Sequence, residues 1–451
     1  MRNRVGVAMA LACACGGGGS SPIDAAIPPD PRQVVATVPA VSNRGLDLLF
    51  VIDDSGGMVD KQNNLAANFP TLINVLNQIE GGLPDLHIGV VTTDMGTKSS
   101  TAAPALGVGT VGQGGCADSG KDGKLLTSGA PLSAGSTFIS DVRQTDGSRL
   151  KNYTGSLESV FAQMSRVGAT GCGFEQPLHA MKRALENANA NPGFLRPDAK
   201  LGVIFLTDED DCSAKSADLF SPDPTLGPLS SFRCTRFGVT CAVGGATPDQ
   251  MNMVGEKINC TSNPTSALID DTRSFATALK ASKADPRNIF VAGIIGDPTP
   301  LVVEEANING MTQARLAHVC TVTTPTGADL SDPGLRMKRF LDQFPDRSRF
   351  ERICQRDLSS PLFNIGQLAA TVVGNACITR ALAMPLDCIV EDDTGTTKTP
   401  IPPCGSPETP PCWKLEINVQ ACPTAQNQRL VIVRAAAPPP STITTMRCTV
   451  Q

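Results

Sequence analysis

Three segments of this sequence end or begin an element on oxygen-bearing side chains. Leu46-Asp-Leu-Leu-Phe-Val-Ile52 runs into Asp53-Asp54-Ser55-Gly56-Gly57, and Lys200-Leu-Gly-Val-Ile-Phe-Leu-Thr207 runs into Asp208. Gly168-Ala-Thr170-Gly-Cys-Gly173 precedes a helical pattern. Asp53, Ser55, Thr170 and Asp208 supply two carboxylates and two hydroxyls, all hard oxygen donors. Such a set suits Mg²⁺ or Ca²⁺, or the similar Mn²⁺, with water filling the remaining positions. Two donors at i and i+2 in a turn can face one way, and a third from a neighbouring strand end can close that face. Read singly, Asp53 is a helix N-cap and Asp208 a strand-end turn acid; their joint occurrence with Ser55 points to a metal site.

These residues need a parallel sheet to bring them together. The apolar runs 46–52, 86–92, 200–207 and 288–295 are near-continuous, as strands buried on both faces must be. Between them lie helical patterns over 59–80 (Leu65, Phe69, Leu72, Leu76, Ile79), 155–167, 174–191 (Leu178, Met181, Leu185), 266–282 and 360–383. Strands alternating with helices predict a Rossmann-like, doubly wound, mostly parallel α/β sheet over 46–385. In such sheets, sites lie at the carboxyl ends of strands. Long Gly-, Ser- and Cys-rich stretches at 96–150, 209–265 and 298–345 read as insertions, with an edge strand near 137–142. Residues 386–451, with Trp413–Val419 and Leu430–Arg434 as strands, read as a small Cys-rich β module. Residues 16–45, rich in Gly, Ser and Pro, read as a flexible tether.

The N-terminus is a targeting pattern. Met1-Arg-Asn-Arg4 is basic, 5–14 is small and apolar, and Cys15-Gly-Gly-Gly-Gly follows. It resembles a lipoprotein signal, with Cys15 the expected lipidated residue and Cys13 the alternative; a plain cleaved signal is the other reading. Fourteen cysteines follow Cys15, spread rather than grouped as CxxC, and an even, spread set in an exported chain reads as disulfides. The short-range pairs 377–388, 404–412 and 422–448 are the simplest guesses.

Phe50-Val-Ile-Asp53-Asp-Ser55-Gly-Gly57, Thr170 and Phe205-Leu-Thr-Asp208 resemble the three motifs of the von Willebrand factor type A family. That resemblance implies a divalent cation bound at Asp53, Ser55, Thr170 and Asp208, with a carboxylate from a protein partner completing its coordination. One departure matters: the family's second Ser falls at Gly57. A water there, compensation by Asp54, Asp60 or Asp210, or a degenerate site are the alternatives. Thr207 and Ser165 are alternatives to Thr170. The absence of Asp after Cys15 implies, by resemblance to Gram-negative lipoproteins, the outer membrane or cell surface; a periplasmic or secreted protein is the alternative.

Composition narrows the function. With 38 Lys+Arg against 43 Asp+Glu and 4% aromatics, nothing marks the chain for nucleic acid. Three separated histidines make no zinc cluster. Gly107-Val-Gly109-Thr-Val-Gly112 lacks the strand–turn–helix setting of a dinucleotide loop, and no GxSxG or HExxH is present. Asp208-Glu-Asp-Asp211 reads as a solvated loop or a feed to a second cation. The expectation is a non-enzymatic, lipid-anchored protein that binds a protein or surface ligand through Mg²⁺, Ca²⁺ or Mn²⁺. A scaffold with a degenerate site and a metal-dependent hydrolase are the rivals.

Overall fold

The computed structural model describes residues 32–39, 44–79, 82–144, 146–186, 189–308, 310–324, 327–374, 377–378, 380–419, 422, 426–436, 438–439 and 442–451. The signal segment and Cys15 lie outside the described residues.

In chain order, the first half contains β1 (Gln33–Pro39), β2 (Gly45–Ile52), α1 (Val59–Asn77), β3 (Asp85–Thr92), β4 (Ile139–Arg143), β5 (Arg149–Lys151), α2 (Leu157–Met164), α3 (Pro177–Glu186) and β6 (Lys200–Leu206). Next come α4 (Phe232–Gly238), β7 (Val239–Val243), α5 (Pro248–Met251), β8 (Gly255–Ser262), α6 (Thr272–Ala281) and β9 (Ile289–Ile295). They are followed by β10 (Leu301–Ile308), β11 (Met311–Leu316), β12 (Cys320–Thr324), β13 (Gly327–Ser331), α7 (Leu335–Leu341), β14 (Ser348–Arg352) and α8 (Ser359–Val373). The chain closes on β15 (Cys388–Asp393), β16 (Lys398–Pro400), β17 (Cys412–Ile417), β18 (Gln428–Val433) and β19 (Ile443–Thr449).

The protein is a mixed α/β structure. Its central sheet has the order β14-β9-β6-β2-β3-β4-β5. The five strands from β14 to β3 are parallel, and β4 and β5 are antiparallel additions. Every residue of β2 and β6 is buried, which explains their unbroken apolar runs. Leu46, Leu48, Phe50 and Ile52 pack with Leu65, Phe69 and Leu72 of α1 and Leu362 and Ile365 of α8. Leu49 and Val51 face the other way, toward Leu178 of α3, Phe275 of α6 and Phe340 of α7. The rings of Phe69 and Phe161 stack at 3.7 Å between centroids, and Phe50 lies 4.6 Å from Phe161. Aromatic contacts of this kind add to area burial in fixing one arrangement.

The insertions are less separate than their composition implies. The stretch 96–150 gives β4 and β5 to the central sheet. The stretches 209–265 and 298–345 merge in one antiparallel sheet, β11-β10-β8-β7, and α7 from the latter belongs to the main core. Strand β14, which polar residues conceal in the sequence, extends the parallel edge.

Two boundaries need correction. Residues 33–39 are not tether: β1 pairs with β19 from Gln33↔Thr449 to Pro39↔Ile443, and Val34 and Ala36 are buried with Val390, Trp413 and Met446. Short, small residues hid a strand whose partner lies at the far end of the sequence. The C-terminal module is therefore built from both ends, in the order β1-β19-β15-β16, while β17 and β18 form a separate pair.

All fourteen cysteines after Cys15 are bridged: 116–172, 212–234, 241–260, 320–354, 377–422, 388–448 and 404–412. Of the guessed pairs only 404–412 holds. Sheet register decides the others, since Cys388 stands opposite Cys448 across β15 and β19. Each bridge stabilises by about 2–4 kcal/mol, and bridges in such number belong to an oxidising, extracytoplasmic setting. No described helix is long and apolar enough to cross a membrane.

The acidic run after β6 is not a solvated loop. Asp211 is fully buried against Arg336, whose Nη2 donates to Asp211 Oδ2 at 2.8 Å. Arg336 also donates to the carbonyls of Asp211, Gly238 and Asp270. Asp210 accepts the amides of Arg336 and Met337 at 2.9 and 3.0 Å and so caps α7. Removing one partner of a buried ion pair strands the other, at about 3–5 kcal/mol. Arg336→Met is therefore expected to lower the urea-unfolding free energy by that amount; a loss below about 1 kcal/mol would show that the network does not hold this loop.

Candidate metal centre

The site begins where β2 and β6 stop. The Asp53 amide donates to the Leu206 carbonyl at 2.9 Å, so strand pairing runs one residue past the end of β2 and sets Asp53 beside the end of β6. The Asp53 carboxylate is wholly buried. Its Oδ1 accepts the Ser55 amide and its Oδ2 the Thr207 hydroxyl, both at 2.7 Å. Ser55 Oγ is buried facing the Asp53 carboxylate, and Asp208 Oδ1 is buried without a hydrogen-bond partner. The other oxygen of Asp208 pairs with Lys61 Nζ at 2.9 Å. Lys61, on the first turns of α1, also pairs with Asp329 of β13.

Gly57 takes φ +101°, and a Cβ there would lie 3.7 Å from Asp208 Oδ2. A side chain at this position would thus face Asp208, but the backbone conformation favours glycine. Of the residues weighed as substitutes for the missing hydroxyl, Asp54 is buried in a pair with Lys121, and Asp210 is taken by the α7 amides.

The loop carrying Thr170 is sewn to this turn. Gln62 Nε2 donates to the carbonyls of Asp53 and Gly168, at 2.9 and 2.6 Å. The Gly171 amide donates to the Asp54 carbonyl at 2.7 Å, and a Cβ on Gly171 would collide with the Asp54 carboxylate at 2.4 Å. Thr170 itself is exposed and stands at the rim. The side chain that enters from this loop is Glu175, 1% exposed, with its carboxyl paired to that of Glu209. Its backbone is clamped between strand ends: the Cys212 amide donates to its carbonyl, and the next amide, Gln176, donates to Thr93. Sequence reading missed Glu175. The available signal was an acid two residues ahead of Pro177, the start of α3. Ser165 is buried at the end of α2, where its hydroxyl donates to the Ala162 carbonyl.

Electrostatics set this cluster apart. Burial raises the Asp53 carboxyl above its ordinary range. Burial, with Asp53 nearby, pushes Asp208 up to about 7. Glu209, which contacts Glu175, is pushed up to about 8 by burial and by Asp332. Burial, Glu209 and Asp53 carry Glu175 well above normal. For Lys61, burial acts downward but Asp208 and Asp329 outweigh it, so its pKa is raised. Several carboxyls thus crowd one buried volume with Lys61 as their cation, and unpartnered oxygens remain. Among the described residues no three Asp, Glu, His or Cys side chains converge as a ready metal-ligand group. Of the expected ligands, Asp53, Ser55 and Asp208 are the ones carried by the ends of the adjacent strands β2 and β6.

No protein-family model and no curated protein matches this sequence. Among solved structures it is similar to the pilus adhesin SpaC from Lactobacillus rhamnosus GG at 11% identity and a TM-score of 0.32, covering 93% of this chain and 41% of that one. The pilus adhesin RrgA from Streptococcus pneumoniae gives 10% and 0.31, covering 93% and 58%. The conserved hypothetical protein BatB from Bacteroides thetaiotaomicron gives 9% and 0.27, covering 73% and 98%. This chain therefore spans less than two thirds of either adhesin, and likenesses this slight carry no functional argument.

The raised carboxyls have a consequence for stability. A folded chain that holds protons its unfolded form has shed loses stability as pH rises. In buffer with EDTA, the melting temperature is expected to fall as pH rises from 6.5 to 8, through the ranges where Asp208 and Glu209 lose their protons. His179, held near 4 by burial, works in the opposite sense only below its ordinary 6.5. Glu175→Gln removes one buried acid and is expected to raise Tm at pH 8 by about 3 °C. A flat or rising profile would show that the acids are not confined together.

Proposed function

We infer that this is an exported protein of von Willebrand factor type A character, on a doubly wound sheet, whose strand-end site holds a divalent cation and through it a protein or surface ligand. One observation carries the reading: Asp208 Oδ1 is buried, unpartnered and set beside Asp53 and Ser55 at the ends of adjacent parallel strands. Burying such an oxygen without a partner is costly, and a hard dication is the ligand that suits it. Asp53 and Asp208 supply charge, Ser55 supplies a neutral oxygen, and Glu175 is the buried acid that the Thr170 loop brings near Asp53. Bound there, Mg²⁺, Mn²⁺ or Ca²⁺ offers an attachment point to a partner's carboxylate. The seven disulfides agree with work outside the cytoplasm, and lipidation at Cys15 would tie the protein to an outer membrane. The role is binding rather than catalysis.

The Lys61–Asp208 pair favours a second reading, a scaffold in which lysine has replaced the metal. Calorimetry and thermal shift with each dication separate the two. The cation site requires binding heat and, at a hundredfold the Kd, a stabilisation of about 2.7 kcal/mol. Asp53→Ala should abolish both. Ser55→Ala, which removes a neutral oxygen facing Asp53, should weaken binding about tenfold, near 1.4 kcal/mol. Silence with all three metals would select the scaffold.

A further inference from the structure

The cation site is roofed by its own chain. The Ser331 hydroxyl and the Asp332 amide both donate to the Asp208 carbonyl, at 2.9 and 2.8 Å. The hairpin of β12 and β13 that leads to them is tied at this same end by Cys320–Cys354, since Cys320 stands opposite Ser331. Otherwise it rests lightly. A cavity of about 770 Å³ separates it from α1, lined by Asn63 and Ala67 on one side and Val322 and Thr323 on the other. The link across this gap is Lys61. Its side chain is 2% exposed and reaches Asp208 Oδ2, Asp329 Oδ1 of the hairpin and, at 3.5 Å, the Gly57 carbonyl. An ammonium buried this deeply is retained only with its carboxylate partners in place.

We propose that Lys61 is a built-in counter-ion that closes the site: it clamps Asp329 against Asp208, and a divalent cation engaging Asp208 displaces it and loosens β13. This rests on the cation-site reading above. Asp208 cannot give full charge to both cations at once, so occupancy of the metal site and closure of the hairpin oppose each other. By linkage, whatever holds the hairpin shut weakens metal binding by the same factor.

The test uses the full chain as wild type, Lys61→Met, Lys61→Arg and Asp329→Asn. Mn²⁺ affinity is read by calorimetry, and hydrogen exchange is read in the peptide spanning 327–332. Lys61→Met is expected to bind Mn²⁺ at least about tenfold more tightly than wild type, while Lys61→Arg, which keeps the charge, does not. Mn²⁺ should raise exchange at 327–332 in wild type. Lys61→Met should show raised exchange with no metal, and Asp329→Asn gives the same readout from the other partner should Lys61→Met fail to fold. If wild type binds Mn²⁺ and Lys61→Met binds no better, the competition is refuted and the cation site stands. If neither binds, the cation site itself fails and the competition with it. Equal exchange in wild type, Lys61→Met and Asp329→Asn overturns the clamp.

Discussion

The hydrogen bond from the Asp53 amide to the Leu206 carbonyl governs the rest of the site. It carries the β2–β6 pairing one residue past the end of β2, so Asp53 is held beside the end of β6. Parallel strands buried on both faces leave little freedom at their ends, and the direction in which Asp53 and Asp208 emerge follows from the register Ile52↔Leu206. The packing of α1 and α8 on one face and of α3, α6 and α7 on the other keeps that register. A one-residue slip would turn every inward side chain outward.

Given that constraint, the electrostatics follow. Water has been excluded from a volume that holds Asp53, Asp208, Glu175 and, half-covered, Glu209. Like charges confined in a poor dielectric repel more strongly than in water, and the acids respond by holding protons. Lys61 offsets part of the imbalance and Lys121 serves Asp54 alone.

Much of this architecture was legible in the sequence because its physics is local. The apolar runs of β2, β3, β6 and β9 and the spacing of Leu65, Phe69, Leu72 and Leu76 declare themselves without knowledge of partners. Asp53, Ser55 and Asp208 were legible for the same reason: they directly follow those strands. What escaped depends on contacts far apart in the chain. Thr170 and Glu175 lie five residues apart in one loop, and only its seams to Asp54, Thr93 and Cys212 decide which turns inward. Lys61 carries no signal in the helical pattern of 59–80; its burial depends on Asp329 of the distant β12–β13 hairpin. The disulfide pattern and β1 needed sheet register, which composition does not reveal.

The pairing of Gln33 with Thr449 also bears on how the molecule comes into being. Strand β1 emerges early from any ribosome or export channel, yet β19, the strand it needs, is made almost the whole chain later. Until then its backbone donors and acceptors stay open, and an unmatched strand edge is prone to wrong pairing. Closure of this small sheet is therefore a late event in biogenesis, and Cys388–Cys448 ties the late strand β19 to its other neighbour, β15.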